Sequence, residues 1–315
     1  MNRTETFKVG KTKLEVPGMG LGTSYLARPS VLVPEDEAVE MVQYAFSRGI
    51  NFFDTAPLYG SGNAERRLGK ALEGIPRDSF VLETKIGRLV QPDGSVIFDY
   101  SKDGVQRSLE ESLKRLKMDR VDILLLHDPD AHFDNLSEAS RTFELLADWR
   151  SQGVIRALGV GLTSWETLAE FARTVDFDCC LLAGRYTLLE QKALDCLALC
   201  QEKGISIFAA GIYNTGILAT GAVPGASYEY GPAREPILER VRKIEALCQR
   251  HNVPLGVAAL RFPTGNPAVT SLIVGAKTAS EVRDNLQKLQ QPIPAAFWAE
   301  LKQEGLLDEK APVPL

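Results

Sequence analysis

Val121-Asp122-Ile123-Leu124-Leu125-Leu126-His127 is an apolar run that ends in an imidazole. Two earlier runs close in a similar way. Ile50-Asn51-Phe52-Phe53 leads into Asp54, with Tyr59 five positions later, and Phe80-Val81-Leu82-Glu83-Thr84 leads into Lys85. Apolar runs without alternation read as strands covered on both faces. In a closed parallel barrel the C-terminal ends of successive strands share one rim. Asp54, Tyr59, Lys85 and His127 are therefore expected to converge, although they lie far apart in the chain.

Outward from these three runs the pattern repeats. Strands are predicted over 19–22, 50–53, 80–84, 121–126, 154–160, 179–182, 205–209 and 270–274. Helical patterns cover 35–48, 63–73, 102–117, 137–151, 165–173, 189–203 and 278–290, with further helices around 236–251 and 254–262. Strand–helix alternation means parallel pairing through crossover helices. The reading is an α/β fold: a (β/α)8 TIM barrel forming one domain over 1–315. Residues 6–16 form an N-terminal β-hairpin, with a turn at Gly10-Lys11-Thr12, placed to plug the barrel bottom. An open doubly wound sheet is the alternative. Gly20-Leu21-Gly22-Thr23-Ser24 only partly imitates its glycine fingerprint. The longest irregular pieces are 86–100 and 221–235, both expected to cap the rim where a substrate sits.

The 315 residues are 44% hydrophobic and 24% charged, with a formal net charge of −5. No basic stripe points to nucleic acid, and no long apolar segment points to a membrane. Met1 to Lys8 lack the pattern of a secretory signal, so a cytoplasmic location is expected. Five cysteines, an odd number in a chain of this size, argue against a disulfide framework. Cys196 and Cys200 lie one helical turn apart and read as reduced core thiols rather than a metal or redox pair. Nothing in the sequence specifies an oligomeric state.

The converging set points to proton chemistry at oxygen. A tyrosine is a poor acid–base catalyst near its ordinary pKa of about 10. A nearby cation favours the phenolate, and Lys85 can supply one. Asp54 then keeps Lys85 protonated and in place, and His127 orients the substrate oxygen by a hydrogen bond. Proton transfer at oxygen pairs with hydride transfer at the attached carbon. Side chains cannot supply hydride, so a nicotinamide cofactor is implied. Taken singly, each residue has a plain structural reading: Asp54 a turn former, Tyr59 a packing residue, Lys85 a rim charge, His127 a structural histidine. Their joint position at adjacent strand ends argues against coincidence.

The segment Phe53-Asp54-Thr55-Ala56-Pro57-Leu58-Tyr59-Gly60, followed by Asn63-Ala64-Glu65-Arg66-Arg67-Leu68-Gly69, resembles the aldo-keto reductase signature. Thr84-Lys85 and Leu124-Leu125-Leu126-His127 sit where that family has its lysine and histidine. Val274-Gly275-Ala276-Lys277, running on to Asn285, is similar to its adenosine-phosphate segment. The likeness covers nearly the whole chain. It implies NAD or NADP bound in extended form without a Rossmann fold, and a small sugar or aldehyde substrate. It implies cofactor contacts from Gly22, Thr23, Tyr213, Asn214, Gly216, Leu218, Gly275, Lys277, Glu281 and Asn285. Three places depart from the common family pattern. Gly161-Leu162 stands where a Ser-Asn pair is frequent, Ala183 where a glutamine is usual, and Ala209-Ala210-Gly211 where an aromatic often stacks on nicotinamide. Such departures resemble a subgroup containing D-threo-aldose or L-fucose 1-dehydrogenases, L-galactose dehydrogenases and a pyridoxal 4-dehydrogenase. General aldehyde or ketone reduction is a further alternative.

Physical chemistry adds to the cofactor reading. Lys277 follows the eighth strand, and the helix starting near Thr278 offers N–H groups and a positive dipole end to phosphate. Arg283 reads as a solvated helix residue. Glu281 suits a ribose hydroxyl and repels a 2′-phosphate, whereas Lys277 favours one; the balance leans to NAD. Two other classes compete. His127-Asp128-Pro129-Asp130-Ala131-His132-Phe133-Asp134 is dense enough in His and Asp to suggest a metal-dependent barrel hydrolase. Only His127 ends a strand, however, and the spacing fits no familiar ligand set, so no metal is expected. A non-catalytic cofactor-binding sensor is the other competitor, and the complete tetrad argues against it.

Overall fold

A computed structural model describes residues 5–27, 33–91, 93–131 and 136–314. Eight parallel strands close into a barrel in simple sequence order. They are β1 (Met19–Gly22), β2 (Phe52–Asp54), β3 (Val81–Ile86), β4 (Ile123–His127), β5 (Ala157–Leu162), β6 (Cys179–Ala183), β7 (Ser206–Ala210) and β8 (Val269–Gly275). Around them run α1 (Glu35–Ser47), α2 (Asn63–Ala71), α3 (Lys102–Leu116), α4 (Leu136–Ser151), α5 (Trp165–Thr174) and α6 (Leu194–Lys203). The ring is completed by α7 (Glu235–Arg250), α8 (Leu255–Arg261), α9 (Ala279–Gln290) and α10 (Ala295–Gln303). Among the described residues, no helix is long and apolar enough to cross a membrane.

Strand side chains alternate between two cores, because successive residues point to opposite faces. Phe52, Val81, Ile123, Leu125, Leu181 and Phe208 fill the barrel interior. Their neighbours Phe53, Leu82, Leu124, Leu126, Leu182 and Ile207 pack outward beneath the helices. The Phe52 and Phe208 rings meet edge-on across the interior, with centroids 5.1 Å apart. The same alternation sends Asp54, Lys85 and His127 inward at the top of β2, β3 and β4.

The hairpin, Thr6–Lys8 with Glu15–Pro17, closes the bottom. Val9, Leu14 and Val16 join the interior cluster. Gly10 turns the hairpin at φ +54°, and a Cβ there would stand 2.4 Å from the Asp178 carbonyl oxygen. Its N–H donates to Ser206 Oγ at 2.8 Å, which ties the turn to the start of β7.

Five strands begin later than their apolar runs predict, and β2, β5 and β7 do so for one reason. Helices α1, α4 and α6 end through Gly49, Gly153 and Gly204 in left-handed conformation. The next residue in each case, Ile50, Val154 or Ile205, donates its N–H to a carbonyl five positions back. This Schellman arrangement assigns the first apolar residue to the helix end. The largest shift is in β5, expected at 154–160 and found at Ala157–Leu162. Helix 189–203 shortens to Leu194–Lys203 because Thr187 and Glu190 exchange backbone hydrogen bonds in a preceding turn. The stretch 86–100 is more regular than expected, holding an antiparallel pair, Arg88–Val90 with Val96–Phe98. Residues 221–235 contain a second small pair, Ser227–Tyr228 with Gly231–Pro232.

Leu14 is 2% exposed at the plugged end. Leu14→Ala is expected to lower unfolding free energy in urea by about 2–5 kcal/mol. A loss within experimental error would mean that the hairpin does not pack as a plug.

Candidate active site

The rim brings the four expected side chains together. Lys85 Nζ forms an ion pair with Asp54 Oδ1 and donates to the Thr55 carbonyl at 2.8 Å. Lys85 is 1% and Asp54 3% exposed, so water scarcely screens the pair. Tyr59 sits over it, with Lys85 Nζ 5.0 Å from the ring centroid. The Tyr59 and His127 rings are perpendicular, their centroids 6.0 Å apart. Local backbone places Tyr59 where it is. The Ala56-Pro57-Leu58 turn closes by Tyr59 N–H donating to the Ala56 carbonyl at 3.1 Å. Gly60 follows at φ +57°, where a Cβ would stand 2.3 Å from the Ala27 carbonyl oxygen. Helix α2 then starts at Asn63.

Burial dominates the electrostatics of Tyr59. It pushes the phenol above its ordinary range, the Lys85 ammonium opposes this, and Asp54 adds to it. Desolvation outweighs the cation expected from the sequence, and the resting group is a neutral phenol. For Lys85, burial favours the neutral amine, but the field of the Asp54 carboxylate wins and holds it protonated. Burial, then Lys85 and Arg88, holds His127 well below the usual histidine range. His127 is thus a neutral imidazole. Among the described residues its Nδ1 has no hydrogen-bond partner, and Nε2 lies 3.7 Å from Asp128. Asp128 itself pairs with Arg88 at 2.6 Å.

A cleft of about 620 Å³ runs from Asp54 and Tyr59 toward the start of α9. Of the expected cofactor contacts, Gly22, Tyr213, Gly216, Gly275, Lys277, Glu281 and Asn285 line it. Thr23, Asn214 and Leu218 are buried outside its lining. The departures at β6 and β7 leave Ala183, Ala210 and Gly211 as a shallow wall. Gly161, at the end of β5, packs close to the Lys85 stem, so a Cβ there would lie 3.5 Å from its Cε.

The α9 terminus is already partly occupied by the protein itself. Thr278 Oγ1 accepts from Glu281 N–H at 3.2 Å, and the Glu281 carboxylate accepts from Lys277 N–H at 2.8 Å. This is close to a capping box. It removes two of the donors expected for a phosphate and gives Glu281 a structural duty. Tyr213 donates to Asn285 Oδ1 at 2.9 Å and fixes that amide at the cleft wall. Arg283 bonds Ser280 and does not line the cleft. Lining residues that were not anticipated include Tyr25, whose ring lies 5.6 Å from Lys277 Nζ, Lys288 and the highly exposed Tyr230. All three sit on loops or a helix face where no sequence periodicity marks them.

Among the described residues, no group of three or more His, Cys, Asp or Glu is arranged to hold a metal. His132, Phe133 and Asp134 lie outside the described residues. All five cysteines are free and buried.

The depressed His127 sets a pH dependence of stability. Below about pH 6.5 the unfolded chain takes up a proton that the folded state refuses. Stability therefore falls as pH drops through that region, since the unfolded state binds more protons. His127→Gln is expected to flatten this acid-side slope in urea titrations between pH 5 and 7 (approximate window from the reference histidine value). An unchanged slope would show that His127 is not held neutral.

Comparison with known proteins bears on the fold and the family. The pattern of the Aldo/keto reductase family matches residues 18–304. The chain is 36% identical to a D-threo-aldose 1-dehydrogenase from Pseudomonas sp, covering 93% of this chain and 95% of that protein. It is 32% identical to a pyridoxal 4-dehydrogenase from Microbacterium luteolum, over 98% and 99% respectively. The fold superposes on the holo form of an aldo-keto reductase from Bacillus halodurans with a TM-score of 0.80 at 24% identity, covering 98% of each chain. Barrel and sequence thus agree, and the chain belongs to the aldo/keto reductase family of oxidoreductases.

Proposed function

We propose that this protein is a nicotinamide-dependent dehydrogenase acting at C1 of an aldose, with Tyr59 as the general acid and base. The observation that carries the reading is the buried Lys85–Asp54 pair beneath a phenol at the inner end of the cleft. The 36% identity to a D-threo-aldose 1-dehydrogenase supports the choice of substrate class.

The cleft suits an extended dinucleotide. Its volume lies in the usual range for small-molecule sites. Gly275 has no room for a side chain, since a Cβ would stand 2.7 Å from the Tyr25 ring. Lys277 and Lys288 supply positive charge at the end away from Tyr59, and Asn285 is held ready by Tyr213. When bound there, the nicotinamide accepts or supplies the hydride. NAD is the preferred form, because the Glu281 carboxylate stands at the rim where a 2′-phosphate would add negative charge.

The protein's own residues handle the proton. In oxidation, Tyr59 oxygen takes the proton of the anomeric hydroxyl while C1 loses hydride, and the sugar becomes a lactone. In reduction, Tyr59 gives its proton to the carbonyl oxygen. Lys85 stabilises the phenolate formed in the second case, and Asp54 holds Lys85 charged. The neutral His127 imidazole orients the substrate oxygen. Because burial raises the Tyr59 pKa, oxidation calls for a deprotonated phenol and quickens as pH rises, whereas reduction draws on the resting form. The buried, unpaired thiols support a reducing, cytosolic setting.

The likeness to a pyridoxal 4-dehydrogenase favours a second reading, in which pyridoxal replaces the sugar. A panel of free aldoses, pyridoxal and simple aldehydes, run with NAD and NADP, separates the two. Aldoses with NAD are expected to give the highest kcat/KM. Tyr59→Phe is expected to lower kcat by roughly 10²–10⁴-fold with coenzyme affinity nearly intact. Normal turnover in that variant would remove the proposed proton path.

A further inference from the structure

One buried acid lies directly under the tetrad and has no part in the chemistry so far described. Glu83 occupies the middle of β3, two residues before Lys85, and so shares its inward face. It is 0% exposed. Across the β2–β3 pair, Glu83 is in register with Asp54. Among the described residues, neither of its carboxyl oxygens has a hydrogen-bond donor. Its carboxyl group nevertheless lies within hydrogen-bonding reach of the Asp54 carboxyl. The titratable groups facing it are Asp54 on β2, Lys85 on its own strand and the buried thiol of Cys179 on β6.

We propose that Glu83 is a positioning residue that keeps its proton at neutral pH and donates its O–H to the Asp54 carboxylate, steadying the carboxylate against which Lys85 is held. The charges in the interior support this. Asp54 and Lys85 cancel, and a second carboxylate beside them would have no counter-ion in a space water does not reach. Like charges at a shared site cannot both ionise easily. Burial, and then Asp54, accordingly push the Glu83 carboxyl well above the carboxylate range. Protonation also resolves the missing partners: two carboxylates cannot bond one another, whereas an acid and a carboxylate can. The consequence reaches Tyr59. An O–H on Asp54 draws off part of its negative charge, so less of the Lys85 field is cancelled at the phenol.

The inference rests on the reading of Asp54, Lys85 and Tyr59 as the proton-handling set, but its first test does not. Infrared difference spectra of the full-length protein, wild type against Glu83→Gln, are expected to show a protonated carboxylic-acid carbonyl band that the variant lacks. Carboxylate bands in its place would overturn the proposal. Kinetics supply the second test. Glu83→Leu is expected to lower kcat roughly tenfold, the scale of a lost hydrogen bond to a charged group. The coenzyme KM should stay within about twofold, because Glu83 does not line the cleft. The alkaline limb of the oxidation profile should move to higher pH. Glu83→Gln, which restores a neutral donor to Asp54, should recover most of the lost kcat. Wild-type kcat and pH profile in Glu83→Leu, or a Gln variant as impaired as the Leu variant, would overturn it. Should Glu83→Leu fail to fold, the infrared band and the Gln variant still decide. Normal turnover in Tyr59→Phe would remove the functional reading while leaving the infrared band in place, so the two failures are distinguishable.

Discussion

The ion pair between Lys85 and Asp54 is the constraint on which the rim depends. Both groups are almost wholly buried, and taking two charges out of water costs several kcal/mol each before their attraction is counted. The Thr55 carbonyl, accepting from Lys85 at 2.8 Å, offsets part of that penalty. So does the fixed spacing of β2 and β3, which presents the two side chains to one another without loss of further freedom. Burial alone would favour the neutral amine, and Lys85 stays charged because the Asp54 carboxylate opposes the loss of its proton.

Every other property of the rim follows from that pair in a low-dielectric setting. The same burial that raises the Tyr59 phenol also strengthens the Lys85 field acting against it. Burial, and then Lys85 and Arg88, keeps His127 neutral. The phenol, the ammonium and the imidazole thus have their protonation states set by one shared environment. Where β6 and β7 end, Ala183, Ala210 and the following Gly211 line the cleft, so this stretch of its wall is made of backbone and methyl groups.

Much of the barrel could be read from the chain, because continuous apolar strands and amphipathic helices obey short-range periodicities. Strand starts were harder. Ile50, Val154 and Ile205 look like the first residues of strands, yet each completes the helix before it through a left-handed glycine. Apolar character is the same in both roles, and only the hydrogen bond separates them. At the α9 terminus, the sequence showed a glutamate suited to a ribose hydroxyl. The fold engages it with the Lys277 N–H, a competition between ligand and helix cap that residue type alone does not reveal.

The chain by itself determined the barrel, the hairpin that plugs it and the identity of the four rim residues, because each is encoded by local pattern and by position at a strand end. The closed sheet decided the protonation states. Those depend on desolvation and on charges brought together from separate strands, which no local pattern records. It also decided that Glu83 faces Asp54 rather than solvent: the inward side of a strand is fixed only once the register between β2 and β3 is set.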